Sequence, residues 1–260
     1  MKELRVTGKS CVKRALRCMP FVMLIAMSAP MATAGQESQG IRGERAAIMD
    51  AEAMVERMGG MAVWSQLESV HFVHDWDIYN RHDIYRENEI LDLSGPRSYV
   101  TMESEIYHRV RAYSPEHRYW NIVNGEFSYA SDEAFAAAME RAPFSIYRIA
   151  RGIARGDSYY RVDFGPMPSM NGTTALEFRG PDDEIHGWIL LNVRKQPVVW
   201  ATTQYSYSFG PLARFGNLWV PNWAVTGGGR VRYEMVSLVG SNERPDPALF
   251  APPGEEGERR

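Results

Sequence analysis

The sequence predicts an α+β fold, mostly antiparallel β: a large curved sheet with helices covering one face. Three observations predict it. A helical apolar period fills residues 44–58. From Ser69 the period switches to two and returns, turn after turn, almost to the C-terminus. A helical stretch, 131–156, interrupts the strands midway. No internal repeat of fixed period divides the chain.

The first helix runs from about Glu44 to Met58. Ala47, Ala51, Met54, Val55 and Met58 share one face, and Gly59-Gly60 stops it. A short helical turn, Met61 to Leu67, carries Trp64. In the first strand Val70, Phe72, His74, Trp76 and Ile78 alternate with His71, Asp75, Asp77 and Tyr79, with Val73 among the latter. Strands follow near 83–93, 98–113 and 116–123, and Asn124-Gly125 marks a tight hairpin into 126–130. Ser131 caps a helix that continues to about Ala142, where Pro143 breaks or kinks it. A second helical segment has Ile146, Ile149, Ala150 and Ile153 on one side and Arg148, Arg151 and Arg155 on another. Further strands are predicted near 158–165, 173–179, 184–193, 197–208, 217–224 and 228–239. The close, Asn242 to Pro253, is extended with Phe250 as an anchor.

Residues 1–34 read as a secretory signal peptide. Six basic residues precede a short apolar core, Phe21 to Met27, and Ala32-Thr33-Ala34 supplies the small-x-small site for cleavage before Gly35. The expected location is the periplasm of a Gram-negative bacterium. Residues 35–43 then form a flexible N-terminus, 44–253 a single domain, and 254–260 a disordered tail. Both cysteines, Cys11 and Cys18, fall in the leader, so the mature chain is predicted to rely on a packed core without disulfides. The chain has 29 basic and 32 acidic residues; the leader takes six of the former and one of the latter, leaving 23 and 31, a net of −8. That balance argues against a nucleic-acid partner, whose binding needs a basic footprint.

No motif names a reaction. G-x-S-x-G, H-E-x-x-H and the phosphate-loop pattern are all missing from the sequence. His71 and His74 face opposite sides of a strand, so a shared metal is not predicted, and no cofactor is predicted either. Asp75 with Asp77, and Glu103 with Glu105, read as solvated strand faces. His74 lies on an apolar face and reads as a core histidine or as a polar contact in a ligand cavity. The Arg148, Arg151, Arg155 stripe reads as a solvated helix face, or as a contact with anionic lipid or a partner. Aromatic content is the positive signal: Phe72, Trp76, Trp120, Phe164 and Tyr233 all sit at inward-looking positions, and an unclosed sheet can line an apolar cavity with such residues.

The order of features resembles the LolA/LolB-like superfamily of periplasmic carriers. The resembling parts are Met58-Gly59-Gly60, Trp64, the strand opening Leu67-Glu-Ser-Val70, the helical interruption, and Arg214-Phe-Gly-Asn-Leu-Trp-Val-Pro221. The strand Val231 to Val239 and the closing Pro245-Asp-Pro-Ala-Leu-Phe250-Ala-Pro-Pro253 complete the set. The resemblance implies a strongly curved, unclosed β-barrel with helices covering its concave face, and reversible binding of a lipid or lipoprotein beneath them. The ligand site is then expected at Phe72, His74, Trp76, Ile78, Trp120, Ile146, Ile149, Ile153, Phe164 and Tyr233, under the 131–156 segment acting as a movable cover. The protein would bind a hydrophobic small molecule or lipoprotein without chemistry, with possible transient contact to membrane or envelope protein. Two other readings stay open. One is an envelope hydrolase whose His and carboxylates converge in three dimensions, and the other an assembly protein that binds a partner along a sheet edge.

Overall fold

A two-residue strand, β1 (Arg42–Gly43), precedes two helices, α1 (Arg45–Arg57) and α2 (Met61–Gln66). Six strands follow: β2 (Ser69–Ile78), β3 (Tyr85–Asp92), β4 (Arg97–Glu103), β5 (His108–Ser114), β6 (Arg118–Val123) and β7 (Glu126–Tyr129). The helical insert is α3 (Asp132–Arg141), a 3₁₀ turn (Ala142–Phe144) and α4 (Ile146–Arg155). The remaining strands are β8 (Arg161–Phe164), β9 (Thr174–Arg179), β10 (Ile185–Leu191), β11 (Pro197–Ala201), β12 (Ser206–Phe209), β13 (Leu212–Phe215), β14 (Leu218–Pro221), β15 (Trp223–Thr226) and β16 (Val231–Ser241). A 3₁₀ turn, Pro247–Phe250, closes the chain. The structure, a computed structural model, describes residues 40–80, 84–166 and 172–254. The predicted leader, residues 35–39 and the tail from 255 lie outside the described residues.

Fourteen strands join in one curved, unclosed sheet in the order β1-β8-β9-β10-β11-β12-β15-β16-β2-β3-β4-β5-β6-β7, while β13 and β14 form a separate hairpin. Neighbours run antiparallel except β1, which lies parallel to β8. The segment 35–43 is therefore not flexible throughout, since Arg42 and Gly43 pair with Arg161 and Val162. Two predicted strands are each divided. Ser104 N–H donates to Tyr107 O and turns 98–113 into β4 and β5; Thr202 N–H donates to Tyr205 O and separates β11 from β12. The predicted 217–224 strand is likewise two, β14 and β15, and β13 has no counterpart in the sequence reading.

The two halves of the sheet meet where β16 pairs with β2. Met235 lies opposite His74 and Leu238 opposite Phe72, although the two are three residues apart. A bulge between Met235 and Ser237 resets the phase, so Met235 and Leu238 both stay buried while Val236 is exposed.

Helix α1 buries Ala47, Ala51, Met54 and Val55, the face its period predicts. It ends at Gly59 and Gly60, both with positive φ (125° and 101°); a Cβ on Gly59 would stand 2.7 Å from Asn217 O. The carbonyl of Met58, freed there, accepts from Trp64 Nε1 at 2.9 Å. Ser145 caps α4 by accepting from Arg148 N, and Gly156 ends it in the left-handed conformation.

Helix α4 has no solvated face along most of its length. Ile146, Ile149 and Ile153 are buried as expected, but so are Arg148 and Arg151, only 4% and 8% exposed. The Arg148 guanidinium donates to the carbonyls of Asp92, Ala142 and Arg97 (2.9, 2.7 and 2.8 Å). Arg151 donates to those of Leu67 and Leu93 and to Glu68 Oε2 (2.6, 3.1 and 2.7 Å). The β3–β4 hairpin end brings unpaired carbonyls to α4, and planar five-donor side chains satisfy them where solvent cannot. Arg155, nearer the helix end, reaches Ser65 O and Glu68 and is partly exposed.

Candidate functional site

Between the central strands and the helical insert lies a cavity of about 480 Å³. Period two in β2 aims Phe72, His74 and Trp76 into it, and the β2–β3 register sets Glu89, Glu87 and Tyr85 directly opposite these three. The rows continue across the sheet: Tyr233 of β16 opposes Trp76 on the other side, and Arg111 of β5 follows Val100 and Glu89. Trp200, Tyr207 and Phe209 come from β11 and β12. The insert forms the roof through Ala138, Arg141, Ile146 and Tyr147, and Trp200 Nε1 ties it to the sheet by donating to Phe144 O at 2.8 Å.

Aromatic rings run along the sheet side. Tyr85 stacks on Trp76 (centroids 5.9 Å, 8°); Tyr233 lies 5.0 Å from Trp76 and 6.0 Å from Tyr207; Tyr207 stacks on Trp200 at 5.8 Å. Loss of solvent pushes the Tyr233 hydroxyl well above its ordinary pKa and the Tyr207 hydroxyl to about 12, so both stay protonated as hydrogen-bonding groups.

Charged groups are set among these rings. Glu87 is 3% exposed and accepts from Trp76 Nε1 at 3.1 Å; its carboxylate lies 3.8 Å from Arg111 Nη2 and 3.7 Å from His74 Nδ1. Glu89 accepts from Ser98 Oγ at 2.7 Å. Burial, then the charge of Glu87, raises the Glu89 pKa. Burial works against the charge of Arg111, yet Glu87, Tyr119 and Glu89 outweigh it and hold the guanidinium more firmly protonated. His74 is 5% exposed, packed between Tyr233 (4.1 Å, stacked) and Phe72 (4.7 Å), and neither ring nitrogen has a hydrogen-bond partner.

Of the residues expected at the site, Phe72, His74, Trp76, Ile146 and Tyr233 line this cavity. The others stand elsewhere. Ile78 is half-buried near the end of β2, opposite Val231. Trp120 is buried, but its Nε1 donates to Phe250 O at 2.8 Å and fixes the C-terminal segment. Ile149 and Ile153 belong to the core beneath α4. Phe164 shares a strand face with the buried Val162, but it is the last residue of β8 and is 39% exposed. Sequence reading missed Glu87, Glu89 and Arg111. In Tyr85–Leu91 charged or amide residues occupy both faces, so alternation marks neither as inward; the pairing with Phe72 and His74 is the signal, and only register reveals it.

No family model and no curated protein matches the chain. Several solved structures align with it at low identity. A DUF1329 family protein from Desulfovibrio piger aligns over 78% of this chain and 97% of its own, at 8% identity and a TM-score of 0.45. MucB of Pseudomonas aeruginosa, solved in complex with MucA, aligns over 78% of this chain and 61% of its own, at 12% identity and a TM-score of 0.26. A further MucB structure aligns over 80% and 64%, at 12% identity and a TM-score of 0.23. The chain thus spans less than two thirds of the MucB chains.

Proposed function

We propose that this protein is a periplasmic carrier or sensor that holds a single amphipathic ligand, an apolar chain with a polar end, in the cavity beneath the insert. The observation that carries the reading is the cavity itself. Its size falls in the range of small-molecule sites, its wall is mainly apolar and aromatic, and a few polar groups converge within it. Each methylene buried there contributes about 0.8 kcal/mol, so a ten-carbon chain offers enough to offset its ordering. The resemblance to LolA/LolB-like carriers and the predicted signal peptide supply the address and the lipid or lipoprotein class. Among the described residues no helix is long and apolar enough to cross a membrane.

The hydrolase alternative has His74 and Glu87 to draw on. They are 3.7 Å apart without a hydrogen bond, and the serine at the cavity, Ser145, uses its Oγ to cap α4. That geometry favours binding over acid–base work. Partner binding by strand addition has one observation in its favour: β7 ends the sheet with all its residues exposed, Phe127 and Tyr129 among them. Lysine at both positions would abolish partner capture and leave cavity binding intact if that edge is used.

The test of the carrier reading is organic extraction and mass spectrometry of protein purified from the periplasm of its own host. The expected result is a single-chain or double-chain amphiphile near equimolar with protein. Nothing beyond the lipid carried by a control periplasmic protein would contradict it.

A further inference from the structure

We propose that the polar floor of the cavity is a site for an organic cation with N–H donors, so that the ligand's polar end is an amine. The inference rests on the carrier reading and specifies the ligand's head. Glu87 is 3% exposed, and the Arg111 guanidinium stands 3.8 Å from its carboxylate, beyond hydrogen-bond reach; Glu89 lies on the same face of β3. Arg148 and Arg141 also border the cavity, but Arg148 is taken by three backbone carbonyls, and Arg141 donates to Gln204 at 2.6 Å and sits over Tyr205 at the rim. Glu87 is therefore a buried carboxylate with no hydrogen-bonded cation, its neighbours being Arg111 at 3.8 Å and the His74 ring at 3.7 Å. An anionic head would add a negative group beside Glu87 and Glu89; an ammonium would give the Glu87 carboxylate a hydrogen-bonded cation.

Independent features agree. His74, 95% buried at the cavity wall, has no hydrogen-bond partner on either ring nitrogen. Nδ1 faces the Glu87 carboxylate at 3.7 Å, which leaves Nε2 as the nitrogen that an N–H donor on the ligand would reach. Trp76, Tyr85 and Tyr233 surround the same position, and aromatic faces attract cations. A metal ion does not fit: among the described residues no three His, Asp or Glu groups converge as ligands.

The test compares decylamine, decanol and decanoate, matched in chain and kept below the concentrations at which they aggregate, by isothermal titration at neutral pH. The expected result is that decylamine, protonated there, binds about tenfold or more tightly than decanol, with decanoate weakest. In Glu87→Gln the amine and the alcohol should come within about threefold of one another. Should that variant not fold, Glu89→Gln carries the same comparison, since it removes the other counter-charge. Equal binding of all three, tighter binding of decanoate, or an amine preference that survives the substitution would overturn the cationic head and leave the carrier reading standing. Failure of all three to bind would overturn both.

Discussion

At the scale of single residues, Glu89 gives the cavity a pH signature. Burial raises its native pKa above the ordinary 4.5, with the charge of Glu87 adding to the shift and Arg111 and Ser98 opposing it. A carboxyl whose native pKa lies above the unfolded value contributes stability that is fully present below the unfolded pKa and is lost as pH rises through the native one. The ligand-free protein should therefore lose stability from pH ~4.5 upward toward neutrality by this group. Glu89→Gln, which mimics the protonated acid, should melt with wild type in acid and above it at neutral pH. Melting temperatures of both proteins across that range check the prediction; a difference independent of pH would contradict it. Arg148 supplies a second prediction. Arg148→Met leaves three carbonyls without their donor, at about 1–3 kcal/mol for each buried group left unpaired. Urea denaturation should show a loss of several kcal/mol, against less than about 1 kcal/mol for Arg155→Met at the partly exposed helix end.

At the scale of elements, the insert divides into two parts with different behaviour. Helix α4 is locked: its isoleucines are core, its arginines hold the β3–β4 hairpin end, and Gly152 lets Tyr160 approach so closely that a Cβ would meet the ring at 2.1 Å. The Tyr160 hydroxyl in turn donates to Pro143 O at 2.7 Å. Gly152→Ala should cost about 1–3 kcal/mol by overpacking, despite the better helix propensity of alanine. Helix α3 buries only Ala138 fully, and its other residues are half-buried or exposed. The movable cover expected over all of 131–156 thus belongs, in our reading, to α3. Amide exchange should be faster in 132–141 than in 146–155, and an apolar ligand should slow the former. Equal protection of the two helices would contradict that assignment. How much the sequence revealed follows from the same contrast. The α1 stripe, the β2 alternation and the Gly59-Gly60 stop were legible because local period and backbone freedom decide them. The burial of Arg148 and Arg151 was not, because four of the five carbonyls that accept from them come from residues 51 to 84 positions away.

At the scale of the molecule, the cavity depends on an unclosed sheet whose two halves join at β2 and β16 and whose concave side is only partly filled. The N-terminal helices and α4 fill one region, and the aromatic cavity occupies the rest. Phe72, His74, Trp76 and Tyr233 meet at that cavity because period two on β2 and on β16 is kept on either side of the bulge at Met235–Ser237. The face each of those four residues occupies was legible in the sequence; the β2–β16 pairing and the bulge were not. The charged lining was not, since a buried Glu87 reads in isolation like any alternate acid on a solvated strand. In our reading this cavity takes an apolar chain. Ala138 on α3 borders it, so Ala138→Trp fills it from the rim with little change to the core. The direct measurement is equilibrium binding of decylamine by isothermal titration to wild type and to the Ala138→Trp variant. Saturable binding to wild type is expected, weakened about tenfold or more by Ala138→Trp, whose melting curve shows whether it remains folded. Binding of equal strength in both proteins would place the ligand outside the cavity and contradict the account.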